Sequence, residues 1–420
     1  MVGKLGEVSL SACSLGNQPQ FIFNVVTFGL ASGGSVLISQ YWGKKDMESI
    51  RHIMAIILRL AIVVSFIITI LVLGFPRKVM EFYSNDAAII DEGVKYLKIV
   101  GFTYMFNGIA STCMCSIRSV EIVRISVAVS LTSCLVNIFL NWVFITGNLG
   151  APALGIEGAA IGTLVARITE FLIIVIFMLI FDKRVQFRVK YLLKSNKSLL
   201  KDSIKYSLPV LINESAWAVG ISVQSAIIGK LQDTPEASKA VLSAISICDV
   251  LRQLATIVIF GIANAACVIV GKKIGENKRE EARSAANTMM VISLFTGIVG
   301  FGVVFFSRKA FIGIYTELEP STVLLTENMM IINAFVVLFM SSSAIGIVGI
   351  LRGAGDSRFA MRLELMAMWL MAIPAGLLAG FGFGAPTLVT YAFLKIDEPI
   401  KVIVTFWRAM QDKTYKNITR

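Results

Sequence analysis

Leu242-Ser-Ala-Ile-Ser-Ile247 is a second copy of Leu10-Ser-Ala-Cys-Ser-Leu15, about 232 residues further along the chain. Other marks repeat at nearly the same offset. Gly29 recurs as Gly261, and Gly43 with Glu48 as Gly275 with Glu280. Phe75-Pro-Arg-Lys78 recurs as Phe306-Ser-Arg-Lys309, Arg118 as Arg352, and Val2-Gly-Lys-Leu5 as Ile228-Gly-Lys-Leu231. Each mark is weak alone, but their shared order and spacing describe a duplicated unit. The second copy has an apolar stretch, Tyr206 to Ile228, ahead of its Gly-Lys-Leu, whereas the first copy begins at Met1. The repeat therefore predicts a six-plus-six plan of helices from which the first helix is missing. Two similar halves in a membrane chain usually form two lobes around a central path.

Composition places the chain in a membrane. It has 420 residues, 56% of them hydrophobic and 16% charged, with a mean hydropathy of +0.77. A water-soluble chain this apolar would lack the polar residues to cover itself. Runs of about 20 apolar residues read as membrane-spanning helices. The runs are continuous rather than alternating, which excludes a membrane β-barrel. No basic region followed by an apolar core stands at Met1, so no cleavable signal peptide is expected. Six cysteines sit mostly inside apolar runs and read as packing residues. With His52 as the one histidine, neither a zinc site nor a histidine-based catalytic triad is expected, and the chain does not read as an enzyme. No Walker-type Gly-Lys-Ser/Thr loop is present, so the chain is not an ATP-driven pump in its own right.

Eleven spans are expected, near 21–41, 54–75, 93–115, 122–146, 156–181, 206–228, 241–270, 285–306, 326–350, 359–381 and 385–408. Lys395, Asp397, Glu398, Pro399 and Lys401 interrupt the last, which is then either short or turned toward protein rather than lipid. The net charge of +12 would suggest nucleic acid in a soluble chain. Here the basic residues crowd into alternate loops: Lys44, Lys45 and Arg51; Arg118 and Arg124; Lys183 to Lys205; Lys272 to Arg283; Arg352 to Arg362; and the Lys413 to Arg420 tail. Positive loops stay in the cytoplasm, so the C-terminus is expected on the cytoplasmic side of the membrane, with no nucleic-acid partner. The domain reading is an N-terminal lobe over 1–185, a polar linker over 186–205 and a C-terminal lobe over 206–420. The fold class is all-α, with two parallel pseudo-symmetric lobes.

Ionisable groups inside apolar spans are expensive and mark function by default. Glu214 lies five residues after Pro209, about two turns inside its span. A carboxylate there can exchange a proton or attract a cationic substrate. Asp249 and Arg252 are three apart and can pair on one helix face, either as structure or as cavity lining. Arg167 and Glu170 form a similar pair with a structural reading. Glu364, near Arg362, reads as a surface group. Asn137 and Asn141 share one face, and Thr163 lies in Gly158-Ala-Ala-Ile-Gly-Thr163 on the next helix. Their oxygens can ligate a small hard cation, but spacing alone favours polar glue between close-packed helices. Met and Phe are abundant, with 17 and 27 copies, and a few can line an adaptable pocket for flat apolar cations.

Several strings carry a resemblance. They are Val2-Gly-Lys-Leu-Gly6 with Leu10-Ser-Ala12, Ser39-Gln-Tyr-Trp-Gly-Lys-Lys-Asp46 and Leu154-Gly-Ile-Glu-Gly-Ala-Ala-Ile-Gly-Thr163. The second half adds Gly271-Lys-Lys-Ile-Gly-Glu276 and Leu351-Arg-Gly-Ala-Gly-Asp356, the most specific of them. In order and over nearly the whole chain, these resemble the multidrug and toxic compound extrusion family of cation-coupled antiporters. The resemblance implies two six-helix lobes forming a V-shaped cleft that opens alternately to either side. It implies export of small amphipathic organic cations in exchange for protons or sodium ions, with no organic cofactor. By similarity, Asn137, Asn141 and Thr163 fall where the family's first-lobe cation site lies. Glu214 falls on a helix that carries an important acidic residue in several members. Two departures matter. The family's first helix, which usually supplies an aspartate, is absent here, and the position of Asn141 is often aspartate. A site without a carboxylate binds sodium poorly, which shifts weight to Glu214 and Asp249.

The alternatives are a flippase for a lipid-linked saccharide, which would need a wide basic cavity, and a truncated, inactive exporter. Both lobes lie in one chain, so a monomer is the default.

Overall fold

The computed structural model describes residues 5–194, 196–232, 234–315 and 319–419. The Val2-Gly-Lys part of the repeated string lies outside them. Among the described residues there is no strand. The first helices are α1 (Glu7–Gly16), α2 (Gln18–Gly43), α3 (Met47–Gly74), α4 (Pro76–Tyr83), α5 (Ala87–Val100), α6 (Thr103–Ser119), α7 (Arg124–Thr146) and α8 (Gly155–Ile176). After a lysine-rich segment come α9 (Lys197–Lys230), α10 (Pro235–Gly275), α11 (Arg279–Ile312), α12 (Pro320–Ala344), α13 (Ser357–Leu365), α14 (Ile373–Leu377), α15 (Thr387–Phe393) and α16 (Asp397–Ala409). Four helices run on into π-helical turns: α8 through Phe177–Phe181, α12 through Ile345–Leu351, α13 through Met366–Ala372 and α14 through Leu378–Gly382.

Capping chemistry sets the boundaries that hydropathy alone misplaces. Asp46 accepts the Ser49 amide at 3.0 Å, so α3 begins at Met47, seven residues ahead of the expected apolar run. It stops at Gly74, before Phe75-Pro76. Asp86 accepts the Ala88 amide at 2.8 Å and starts α5 at Ala87. Eight of the eleven expected spans coincide with helices long and apolar enough to cross a bilayer. The 93–115 span is instead two helices, α5 and α6, parted at Gly101-Phe102. The 206–228 span is the inner part of α9, which is long enough but carries Asn213, Glu214 and Gln224. The 385–408 span is α15 and α16, parted at Leu394-Lys395-Ile396, with its charges turned toward protein.

The lipid-facing surfaces are visible on single helices. Leu131, Leu135, Ile138 and Trp142 form an exposed stripe along α7, and Val291, Phe295 and Ile298 form another along α11. Residues three and four apart share a helix face. Apolar stripes of this length are stable in hydrocarbon and not in water. The protein is a multi-pass, all-α membrane protein.

The chain divides into two compact units. The first comprises Met1–Ile38 and Asp46–Leu211. Here α7 packs along α8, and α6 touches both α3 and α8. Phe23 and Tyr104 meet edge to face at 5.2 Å in a core with Val72, Met80, Ile90 and Leu97. The second unit comprises Ser39–Lys45 and Ile212–Arg420. Its centre is α12, the most enclosed of the long helices, packed against α10 and α11 through Met329, Met330, Ala334 and Val337.

The repeat is also written in the backbone. The Lys45 amide donates to the Trp42 carbonyl at 3.0 Å, and the Asn277 amide to the Ile274 carbonyl at 2.9 Å. Lys45 and Asn277 both adopt the left-handed region, at φ 60° and 59°. A second such pair of turns follows Arg118 and Arg352, where Glu121 and Gly355 have positive φ and donate to those arginine carbonyls at 3.0 and 2.9 Å. Within the second unit the Gly43 and Gly275 turns lie backbone to backbone. A Cβ on Gly43 would sit 2.0 Å from the Lys272 carbonyl oxygen, and one on Gly275 1.8 Å from that of Gln40.

Candidate functional site

Pro209 lies inside α9 without ending it, and the helix carries Asn213 and Glu214 one turn beyond. Glu214 Oε1 accepts from Arg352 Nη2 at 2.7 Å. Arg352 follows the π turn at the end of α12 and is 1% exposed, so the loop position expected for it is incorrect. The adjacent Asn213, also buried, donates from Nδ2 to Glu364 Oε2 at 2.5 Å. Glu364 is therefore not the surface group its exposed neighbour Arg362 suggests. Successive residues of α9 thus hold two carboxyls side by side, one against a guanidinium and one against a neutral amide.

The break between α15 and α16 supplies the next group of charges. Lys401 Nζ lies 2.9 Å from Asp397 Oδ2 and 2.6 Å from Glu398 Oε1. Offsets of four and three place all three on one face of α16. Ser343 of α12 donates to the other Glu398 oxygen at 2.5 Å. Lys395 donates to Gln224 of α9 at 2.7 Å, and Asn333 to the Tyr391 hydroxyl at 2.8 Å. On α10, Arg252 grips Asp249 Oδ1 through Nη2 at 2.8 Å and Nε at 3.2 Å, the pairing its spacing allows. A cavity of about 30 Å³ lies among Trp217, Gln224, Arg252, Met340, Lys395 and Glu398. A smaller one adjoins Asp249 and Tyr391. Polar spaces of this size hold one or two water molecules.

Desolvation makes the charge balance of this interior decisive. These contacts join five carboxyls, Glu214, Asp249, Glu364, Asp397 and Glu398, and four cations, Arg252, Arg352, Lys395 and Lys401, while elsewhere in the unit the buried Asp356 is held by Arg408 and Lys416. With every carboxyl ionised, the network is one positive charge short of neutral. Of the four cations, Arg252, Lys395 and Lys401 fall within expected spans, and only Arg352 falls in an expected loop.

In the first unit, Asn141 donates to Asn137 Oδ1 at 3.0 Å, and Asn137 donates to Thr163 Oγ1 at 3.4 Å. Thr163 donates back to the Ala159 carbonyl at 2.9 Å. Gly162 makes room for the cluster, since a Cβ there would lie 2.4 Å from Asn141 Oδ1. That oxygen is buried and accepts no hydrogen bond. The three side chains meet, and no carboxylate stands among them. On α8, Arg167 binds Glu170 at 2.6 Å.

Comparison with known families decides the class. The sequence model of the MatE family matches residues 1–143 and 227–378. The chain belongs to the MatE family. As a MATE protein it is a member of a family of multidrug efflux transporters, not of enzymes. It is 22% identical over 387 residues to the probable multidrug resistance protein NorM of Listeria monocytogenes, covering 90% of this chain and 81% of that one. It is 20% identical over 415 residues to the uncharacterized transporter YisQ of Bacillus subtilis, covering 97% and 88%. An outward-facing multidrug resistance MATE transporter of the MOP superfamily shares the fold, with a TM-score of 0.89 at 16% identity over 99% of this chain and 90% of that one.

Reading the MATE sequence residue by residue misses Asn213, Arg352, Glu364 and Ser343. The repeated Arg118/Arg352 pair was the available signal for Arg352. The cluster of Lys395, Asp397, Glu398 and Lys401 was visible as an anomaly in the last span. Its partners on α9 and α12 lie far away in sequence.

Proposed function

We propose that this MATE protein is a secondary multidrug exporter that exchanges small amphipathic organic cations for protons or sodium ions. The observation that supports this reading is the network built on α9, α10 and α16, in which five carboxyls, Glu214, Asp249, Glu364, Asp397 and Glu398, stand against four cations, Arg252, Arg352, Lys395 and Lys401. One proton or one monovalent cation neutralises that set. Loading the charge removes the reason for Arg352 and Lys401 to hold their carboxylates as tightly, and unloading restores it. A charge-dependent rearrangement of this kind couples ion entry to the alternating access of two lobes. Trp217, Met340 and Met368 beside the cavity offer an aromatic face and soft sulfur to a flat cation. On this reading the lysine-rich loops and the C-terminus face the cytoplasm of a bacterial cell.

The test is efflux of ethidium from loaded proteoliposomes under an imposed proton or sodium gradient. Gradient-driven efflux names the ion. Efflux indifferent to both gradients removes the antiport reading. A second reading, flipping of a lipid-linked saccharide, draws on the buried cations Arg352 and Lys401 and the half-buried Arg252 and Lys395. It predicts translocation of an anionic lipid-linked sugar and no ethidium efflux.

A further inference from the structure

The segment between α8 and α9 presents charge of one sign. Between Asp182 and Lys205 stand eight lysines and arginines, and every one is exposed. The two acidic residues of the stretch, Asp182 and Asp202, are both buried. Asp182 is consumed by the backbone, accepting the Arg184 amide at 2.9 Å and the Val185 and Gln186 amides at 3.2 Å. The segment leaves the protein directly after the exposed Ile180 and Phe181, at the end of a span. It is also tied down. Arg51 at the start of α3 donates to the Val185 carbonyl at 2.6 Å, and Tyr191 packs edge to face on His52 at 5.3 Å. Lys190 and Lys194 lie over the Tyr191 ring at 5.7 and 5.8 Å, which fixes their stems. With Tyr191 turned inward, Val189 and Leu193 on the same short turn are left exposed, Leu193 by 88%. The start of α9 continues the pattern, with Lys197, Lys201 and Lys205 one turn apart and the exposed Ile204 and Leu208 beside them.

We propose that the Lys183–Lys205 segment is a docking surface for the headgroups of anionic phospholipids, with Leu193 inserted at the level of the acyl chains. A basic cluster pinned next to a span lies within a Debye length of the bilayer surface, where anionic lipid attracts it. The lysine stems cover apolar surface while their ammonium groups reach phosphates. The exposed Leu193 then has an apolar neighbour that water does not supply.

The test uses the full chain. Native mass spectrometry is run from detergent micelles doped equally with phosphatidylglycerol and phosphatidylcholine. Retained phosphatidylglycerol should exceed phosphatidylcholine by about tenfold, and K190Q/K194Q/K197Q/K201Q should remove most of that preference. Equal retention of the two lipids, or a preference unchanged in the variant, overturns the proposal. Leu193→Trp reports insertion independently. In vesicles of chain-brominated phosphatidylglycerol its fluorescence should be quenched beyond that of the parent's own tryptophans. Binding of headgroup phosphate alone, without insertion, would leave that extra quench absent and overturn the docking geometry.

Discussion

Arg352 and Glu214 meet at 2.7 Å, across 138 residues of sequence, with the guanidinium 1% exposed. Removing one partner of such a pair leaves the other charged and desolvated, at a cost of roughly 3–5 kcal/mol. Glu214→Gln is therefore expected to abolish coupled efflux and to lower thermal stability. Glu214→Gln with Arg352→Gln should recover much of the stability and none of the transport. If the double variant exports ethidium at the parent's rate, Glu214 is a structural residue only.

Glu364→Gln keeps an acceptor for Asn213 and removes the fifth carboxyl of the network. The variant should fold normally and lose most of its response to an imposed ion gradient. Measuring efflux with and without the gradient reads this directly, and an unchanged ratio would move the exchangeable charge to another carboxyl.

Lys401 faces Asp397 and Glu398 together. Lys401→Met alone should cost several kcal/mol, because two buried carboxylates lose their counter-ion. Adding Asp397→Asn and Glu398→Gln should return much of that loss. Thermal unfolding of the single and triple variants compares the two, and equal stabilities would show that the pair is already neutral in the parent.

Glycine at 158 and 162 sets the approach of α8 to α7. A Cβ at Gly158 would lie 2.4 Å from the Phe144 carbonyl oxygen, which is backbone and cannot swing aside. At Gly162 the obstacle is the Asn141 side chain, which can move. Gly158→Ala is expected to destabilise by about 1–3 kcal/mol and Gly162→Ala by less. The reverse order in unfolding temperatures would contradict the contact geometry.

These sites differ in how far the sequence announced them. Spans, repeat and lysine-rich loops are local properties, and a run of apolar residues shows them whatever the rest of the chain does. Glu214 stood out because a carboxylate in an apolar run is conspicuous, and the Asp249–Arg252 spacing pairs the two on one turn. Arg352 and Ser343 become partners of the site only through tertiary packing, which spacing does not encode. Glu364 was misread because Arg362, two residues earlier and about 200° round the helix, is exposed. The α5–α6 and α15–α16 breaks were hidden because hydropathy averages across them.

Alkaline pH reaches the C-terminal tail. Tyr415 is buried and donates to the Ala409 carbonyl at 2.8 Å. Burial, with Asp412 nearby adding to it against the opposite pull of Arg283, pushes its pKa up to about 12 from 10. The folded state thus prefers the neutral phenol. Its contribution is complete below pH 10 and is lost as the pH rises toward 12. Subtracting the 295 nm titration of Tyr415→Phe from that of the parent should leave one late-ionising tyrosine. An ordinary midpoint near 10 would show the ring in water.

The backbone contact between the Gly43 and Gly275 turns has a consequence for how this duplicated chain can vary. Two copies of a duplicated segment ordinarily drift apart independently. Here each copy's glycine leaves room for the main chain of the other copy, so neither position has a mutational history of its own. A methyl group added to one copy is felt as a collision by the other. In a saturation library both glycines should be intolerant together.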